Sequence, residues 1–187
     1  MDKGLLEKLR RGRKYASFFE WPDRKLKERG VVDYLLRSME LGGEVEYSEP
    51  IPSLDDPPDC VVSDRDGRLV AVEVTELVSA EAIRRNQQGE DVYRDWKPNE
   101  VTDEINSLLQ KKDDKRFHGE PYAKKVVLIF TDEIILQARK EEYVDYLAGQ
   151  SFGPVKQVDE AYLLFSYDGI DRCPYIKLRL NRSKVAT

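Results

Sequence analysis

The sequence predicts an α/β fold, a mixed β-sheet flanked by helices. Three observations predict it. KKVVLIFTDE, starting at Lys124, is short, apolar and rich in β-branched residues, as a buried strand should be. Two further apolar runs, Cys60 to Ser63 and Leu69 to Val74, flank Asp66-Gly67, a strong hairpin signal. Between the hairpin and Lys124 lies VTDEINSLLQKK, where Val101, Ile105, Leu108 and Leu109 recur at helical spacing.

In chain order, Gly4 to Ala16 reads as a short basic helix with Leu5, Leu6 and Leu9 on one side, punctuated by Trp21-Pro22-Asp23. A longer helix is expected from Asp23, a capping residue, to the stop signal Gly42-Gly43. GEVEYSEPI alternates as a strand does and ends at Pro50 and Pro52. After the hairpin, helices are expected at Ser79 to Gln88 and Asn99 to Arg116, then the strand from Lys124. A helix at Glu141 to Ala148 and strands at Ala161 to Tyr167 and Tyr175 to Leu180 complete the chain. D-R-D-G resembles the opening of a calcium loop, but the third ligand position and the closing glutamate are missing, so it reads as a turn.

The 187 residues suffice for one domain with a sizeable core, and 1–187 is read as a single domain. No apolar run approaches the roughly 18 to 20 residues needed to cross a bilayer. The start, MDKGLLEKLRRGRK, lacks the apolar segment of a secretory signal. The expectation is a cytoplasmic protein with no membrane partner. Cys60 and Cys173 stand far apart with no C-x-x-C spacing, which argues against a zinc site or a disulfide framework. The single histidine, His118, argues against mechanisms built on paired histidines or a Ser-His-Asp set. Acid-base chemistry must then come from carboxylates, lysines or water.

The net charge of −5 conceals a segregation. Residues 1–29 and 172–187 each carry a net +5, so the body between them carries −15. Basic ends on an acidic body could embrace a polyanion, or could simply be solvated faces.

Within that body, acids fall where apolar residues are expected. Glu73 lies between Val72 and Val74 in a buried strand, where an ionised carboxylate needs a partner. Alternation puts Glu73 and Thr75 on one face and Val72 and Val74 on the other. Pairing through Asp66-Gly67 brings Asp59 beside Glu73. Two carboxylates about 4 Å apart repel by roughly 4 kcal/mol at an effective dielectric of about 20, so a cation is expected between them unless one is protonated. At 100° per residue Lys112 falls about 20° from Ile105, on the core-facing stripe, while Lys111 turns away. By the same arithmetic Glu28 aligns with Val32, Leu35 and Met39.

These residues resemble the PD-(D/E)XK nuclease superfamily, whose core is a helix, three strands, a helix and a further strand. Pro58-Asp59 resembles the "PD", and Glu73-Val74-Thr75 stands where "(D/E)XK" belongs. The resemblance implies a restriction-endonuclease-like core over 23–132, a basic helical extension over 1–21, and an additional helix and strands over 133–187. It implies Asp59, Glu73 and the Val74 carbonyl as ligands of Mg²⁺ or Mn²⁺, with Glu28 completing the site. Thr75 departs from the pattern, because it replaces the lysine that orients the attacking water. Some members of the superfamily carry that lysine on the following helix, where Lys112 stands, with Lys111 as second choice.

The implied activity is metal-dependent phosphodiester hydrolysis, most simply by a DNA endonuclease with Asp59, Glu73 and Lys112 catalytic. Arg10, Arg11, Arg13, Lys14, Lys177, Arg179, Arg182 and Lys184 are candidate phosphate contacts. The alternative is a catalytically inactive nuclease-like fold that binds nucleic acid or a protein partner. A homodimer would suit double-strand cutting.

Overall fold

A computed structural model describes residues 23–44, 47–54, 56–90, 92–119, 121–166 and 173–183. Helix α1 (Arg24–Leu41) is capped by Asp23, whose side chain accepts from the Leu26 N–H, and it stops before Gly43, which adopts φ +83°. Strands β1 (Ile51–Pro52), β2 (Cys60–Ser63) and β3 (Leu69–Glu76) follow. Next come helices α2 (Ala80–Gln87) and α3 (Pro98–Asp113), strand β4 (Lys124–Thr131), and helices α4 (Ile134–Ala138) and α5 (Lys140–Ala148). Strands β5 (Phe152–Val155), β6 (Glu160–Phe165), β7 (Tyr175–Lys177) and β8 (Leu180–Arg182) close the chain.

Six strands form one mixed sheet in the order β1-β2-β3-β4-β6-β7. β3, β4 and β6 run parallel at its centre, and β1, β2 and β7 join antiparallel. Helices flank this sheet, which is the restriction-endonuclease-like arrangement expected. One face of β3 and β4, through Val70, Val72, Val74, Val126 and Leu128, packs on Val31, Val32 and Leu35 of α1. The other face, with Val127 and Ile129, packs on Val101, Ile105 and Leu109 of α3 and on α5. Burying each such side chain stabilises the fold by about 1.5 to 3 kcal/mol. Among the described residues no helix is long and apolar enough to cross a membrane.

The hairpin turn behaves as its sequence demands. Gly67 takes φ +75°, and Asp64 Oδ1 accepts from the N–H groups of Asp66 and Arg68, so D-R-D-G is a turn. Two expectations need correction. The strand read into GEVEYSEPI is reduced, among the described residues, to a Tyr47–Asp64 bridge and the pair Ile51–Pro52. Pro50 and Pro52 have no N–H to give to a ladder. The strand expected from Tyr175 to Leu180 ends at Lys177, and the chain then forms β8, which pairs with β5 in a second, two-stranded sheet. The basic helix expected at Gly4 to Ala16 lies outside the described residues.

Candidate metal centre

The hairpin builds the site. Cys60 pairs with Val72 in the β2–β3 ladder, which sets the preceding residue, Asp59, across from Glu73. Asp59 Oδ2 accepts from the Val74 N–H at 2.8 Å, fixing the carboxylate against β3. Asp56, at the exposed end of the Pro57-Pro58 loop, completes the group. Carboxylate oxygens of Asp56, Asp59 and Glu73 lie within 4.8 Å of one another, the one such cluster of three among the described residues. The loop is tied down by backbone bonds, Ser53 N to Asp59 O and His118 N to Pro57 O, both 3.0 Å.

Helix α3 brings the counter-charge. Glu100 reaches back to the Lys97 N–H and Pro98 opens the helix, which runs on to deliver Lys112 in its last turn. Lys112 Nζ donates to Glu73 Oε1 at 2.6 Å and to the Val74 carbonyl at 3.0 Å. Just past the helix, Lys115 Nζ donates to the same Oε1 at 2.9 Å. Lys111 is exposed. The end of α3 is itself anchored by buried Asp113, whose carboxylate accepts from the N–H groups of Lys156, Gln157 and Val158. From the opposite layer, buried Glu28 accepts from Arg24 Nε at 2.6 Å, and Arg24 also lies 3.7 Å from Asp59 Oδ1.

The electrostatics of the two central carboxylates diverge. Burial, then the charge on Glu73, push the Asp59 carboxyl up to about 7, although the Val74 N–H favours its ionised form. Burial also works against the charge on Glu73, which is 0% exposed. There the ammonium groups of Lys112 and then Lys115 outweigh burial and hold the carboxyl below the usual carboxylate range. For Lys115 burial opposes the charge, Glu73 outweighs it, and the pKa rises.

The residues present fit a divalent ion. Glu73 Oε2 is buried with no hydrogen-bond partner, while its sister oxygen holds two lysines. An unsatisfied buried carboxylate oxygen is costly, and here it belongs to a carboxylate clustered with two others. The donors are all hard oxygens, which suit Mg²⁺ or Mn²⁺ and exclude soft-metal chemistry. The Val74 carbonyl already accepts from Lys112, and its second lone pair remains for another partner.

Of the residues singled out in the sequence, Asp59, Glu73, Val74, Lys112 and, through Arg24, Glu28 are brought together. The three described phosphate candidates, Lys177, Arg179 and Arg182, are engaged elsewhere. Lys177, on edge strand β7, lies three strands from β3, roughly 14 Å at the usual strand spacing, and pairs with Glu160 at 3.3 Å. Arg182 pairs with Asp159 at 2.8 Å, and Arg179 donates to Ser151. Arg10, Arg11, Arg13, Lys14 and Lys184 lie outside the described residues. Sequence reasoning missed Asp56, Arg24 and Lys115. Lys115 follows Lys112 by three residues, a spacing that puts both on one face of a helix expected to run through Arg116 and could have flagged it.

No family model, curated protein or solved structure matches the chain. What stands is an α/β fold with a clustered acidic triad able to bind a metal ion.

Proposed function

We propose that the chain is a metal-dependent nuclease of the PD-(D/E)XK type, hydrolysing phosphodiester bonds in nucleic acid, most simply as a DNA endonuclease. One observation carries the reading. Glu73 is buried across from Asp59 with Oε2 unpaired, while Lys112 reaches its other oxygen from the following helix. Asp59, Glu73 and Asp56 would hold the ion, with the Val74 carbonyl as a further donor. A bound Mg²⁺ or Mn²⁺ would lower the pKa of coordinated water and offset charge on the scissile phosphate.

The chain's own residues do the rest. Lys112, held by Glu73 and the Val74 carbonyl, orients a water beside the carboxylates and takes the place that Thr75 cannot fill. Arg24 and Glu28 keep Asp59 aligned. Because the body is acidic, nucleic acid would have to be drawn by the ion and by the basic segments at the two ends.

The test is cleavage of duplex, single-stranded and branched DNA in Mn²⁺ and Mg²⁺, with wild type beside Glu73→Gln. The reading expects cleavage by wild type only. Cleavage that persists in Glu73→Gln would sink it. Salt-sensitive binding without cleavage in either metal would move the protein to the binding-only alternative.

A further inference from the structure

Glu73 Oε1 accepts from two lysines, yet one of them suffices to pair its single charge. The two are held differently. Lys112 sits within α3, makes a second bond to the Val74 carbonyl, and has a side chain only 11% exposed. Lys115 lies beyond the helix end, and its side chain is 40% exposed. A lysine stem of four carbons lets such an ammonium swing several ångströms without backbone movement.

We propose that Lys115 is a displaceable phosphate-binding residue, resting on Glu73 until a divalent ion occupies the carboxylates and then turning to a phosphodiester oxygen of the substrate. The proposal rests on the nuclease reading above. Its physical reason is charge. Asp56, Asp59, Glu73 and Glu28 offer four negative charges when ionised, against three positive from Arg24, Lys112 and Lys115. A divalent ion turns this cluster from a net −1 to +1, and like charge then pushes the least restrained cation outward. One phosphodiester, carrying a single negative charge, restores neutrality. Lys115 has both the exposure and the position to meet it, since its ammonium is close enough to the exposed Asp56 carboxylate to feel its charge.

The experiment uses the full chain. Mn²⁺ affinity is measured by electron paramagnetic resonance for wild type, Lys115→Ala, Lys115→Arg and Lys111→Ala, with Glu73→Gln as the site control. Removing a competing cation should tighten Mn²⁺ binding about fivefold in Lys115→Ala, while Lys115→Arg and the exposed Lys111→Ala stay near wild type. Binding of a short labelled DNA duplex is then compared with and without Ca²⁺. Lys115→Ala should lose about tenfold of the ion-dependent gain in DNA affinity, and Lys111→Ala should keep it. If wild type binds Mn²⁺ at a site that Glu73→Gln removes, but Lys115→Ala binds it no more tightly or keeps the full Ca²⁺-dependent DNA affinity, the role of Lys115 is overturned and the nuclease reading stands. If wild type shows no Mn²⁺ site that depends on Glu73, both are overturned together.

Discussion

Lys112 Nζ lies 2.6 Å from Glu73 Oε1, joining helix α3 to strand β3 through an ion pair with almost no access to water. Such pairs rarely exceed in stability the apolar side chains that could replace them, because desolvation offsets most of the attraction. On the nuclease reading, the chain keeps this pair at the centre of its sheet for chemistry more than for stability. Breaking the pair from one side should be costly on both counts. Lys112→Met leaves Glu73 with Lys115 alone and should lower stability by about 2 kcal/mol in urea denaturation. It should also lower cleavage about a hundredfold or more. Thr75 shares the Glu73 face and is only partly buried, so adding Thr75→Lys to Lys112→Met should restore part of the activity. A double variant no more active than Lys112→Met would show that the helix position, and not just an ammonium near Glu73, is required.

Asp59 predicts a conflict between stability and function. Its folded-state carboxyl, pushed up to about 7, lies above the ordinary aspartate value. The neutral form is therefore the one the fold prefers, and its contribution is complete below the ordinary value and lost as pH rises through about 7. Asp59→Asn keeps an oxygen for the Val74 N–H and cannot ionise. Its melting-temperature advantage over wild type should grow by about 4 to 8 °C between pH 5 and pH 8, the equivalent of roughly 2 kcal/mol. The same variant should lose Mn²⁺ binding. A destabilised Asp59→Asn at pH 8 would mean that Asp59 is a structural acid.

The same group sets the pH dependence of metal binding. A proton on Asp59 competes with the ion, whereas Glu73 is held ionised well below neutrality by its lysines. Mn²⁺ affinity, measured in the apo protein, should rise about tenfold per pH unit up to about 7 and level off above it. A profile flat from pH 5 to 8 would remove Asp59 from the ligand set.

How far the sequence revealed this site depends on the kind of information each residue carries. Glu73 and Asp59 were legible because strand alternation and a hairpin turn are local rules, and together they fix a cross-strand pair. Lys112 was legible because helical periodicity gives its angle to within a few tens of degrees. Asp56 was not, since its position depends on the path of the Pro57-Pro58 loop, which no periodicity dictates. Lys115 depends on where α3 stops, and that is set by tertiary bonds between Asp113 and a segment more than forty residues later. Strand β5 was hidden for a similar reason. Gly153 and Pro154 read as breakers, yet β5 pairs with β8 around them. The basic residues at the C-terminal end carried charge but not destination, and Lys177 and Arg182 are engaged by Glu160 and Asp159.

Asp113 carries the last prediction. Its carboxylate, nearly excluded from solvent, accepts three N–H groups from Lys156 to Val158, and Gln157 returns a bond to its carbonyl. The network pins the end of α3, and therefore the origin of both lysines, to the turn before β6. Asp113→Ala strands three donors and should cost about 3 kcal/mol in urea denaturation, since bonds to a charged acceptor contribute roughly 1.5 to 3 kcal/mol each and the exposed Lys156 N–H can recover some water. Asp113→Asn keeps one acceptor oxygen and should lose less. Because the network lies behind the lysines and not among the carboxylates, Mn²⁺ affinity below the melting transition should change less than twofold in Asp113→Asn. If Lys112 and Lys115 act as proposed, cleavage should fall about tenfold. Equal losses in metal affinity and cleavage would show that the end of α3 shapes the carboxylate cluster itself.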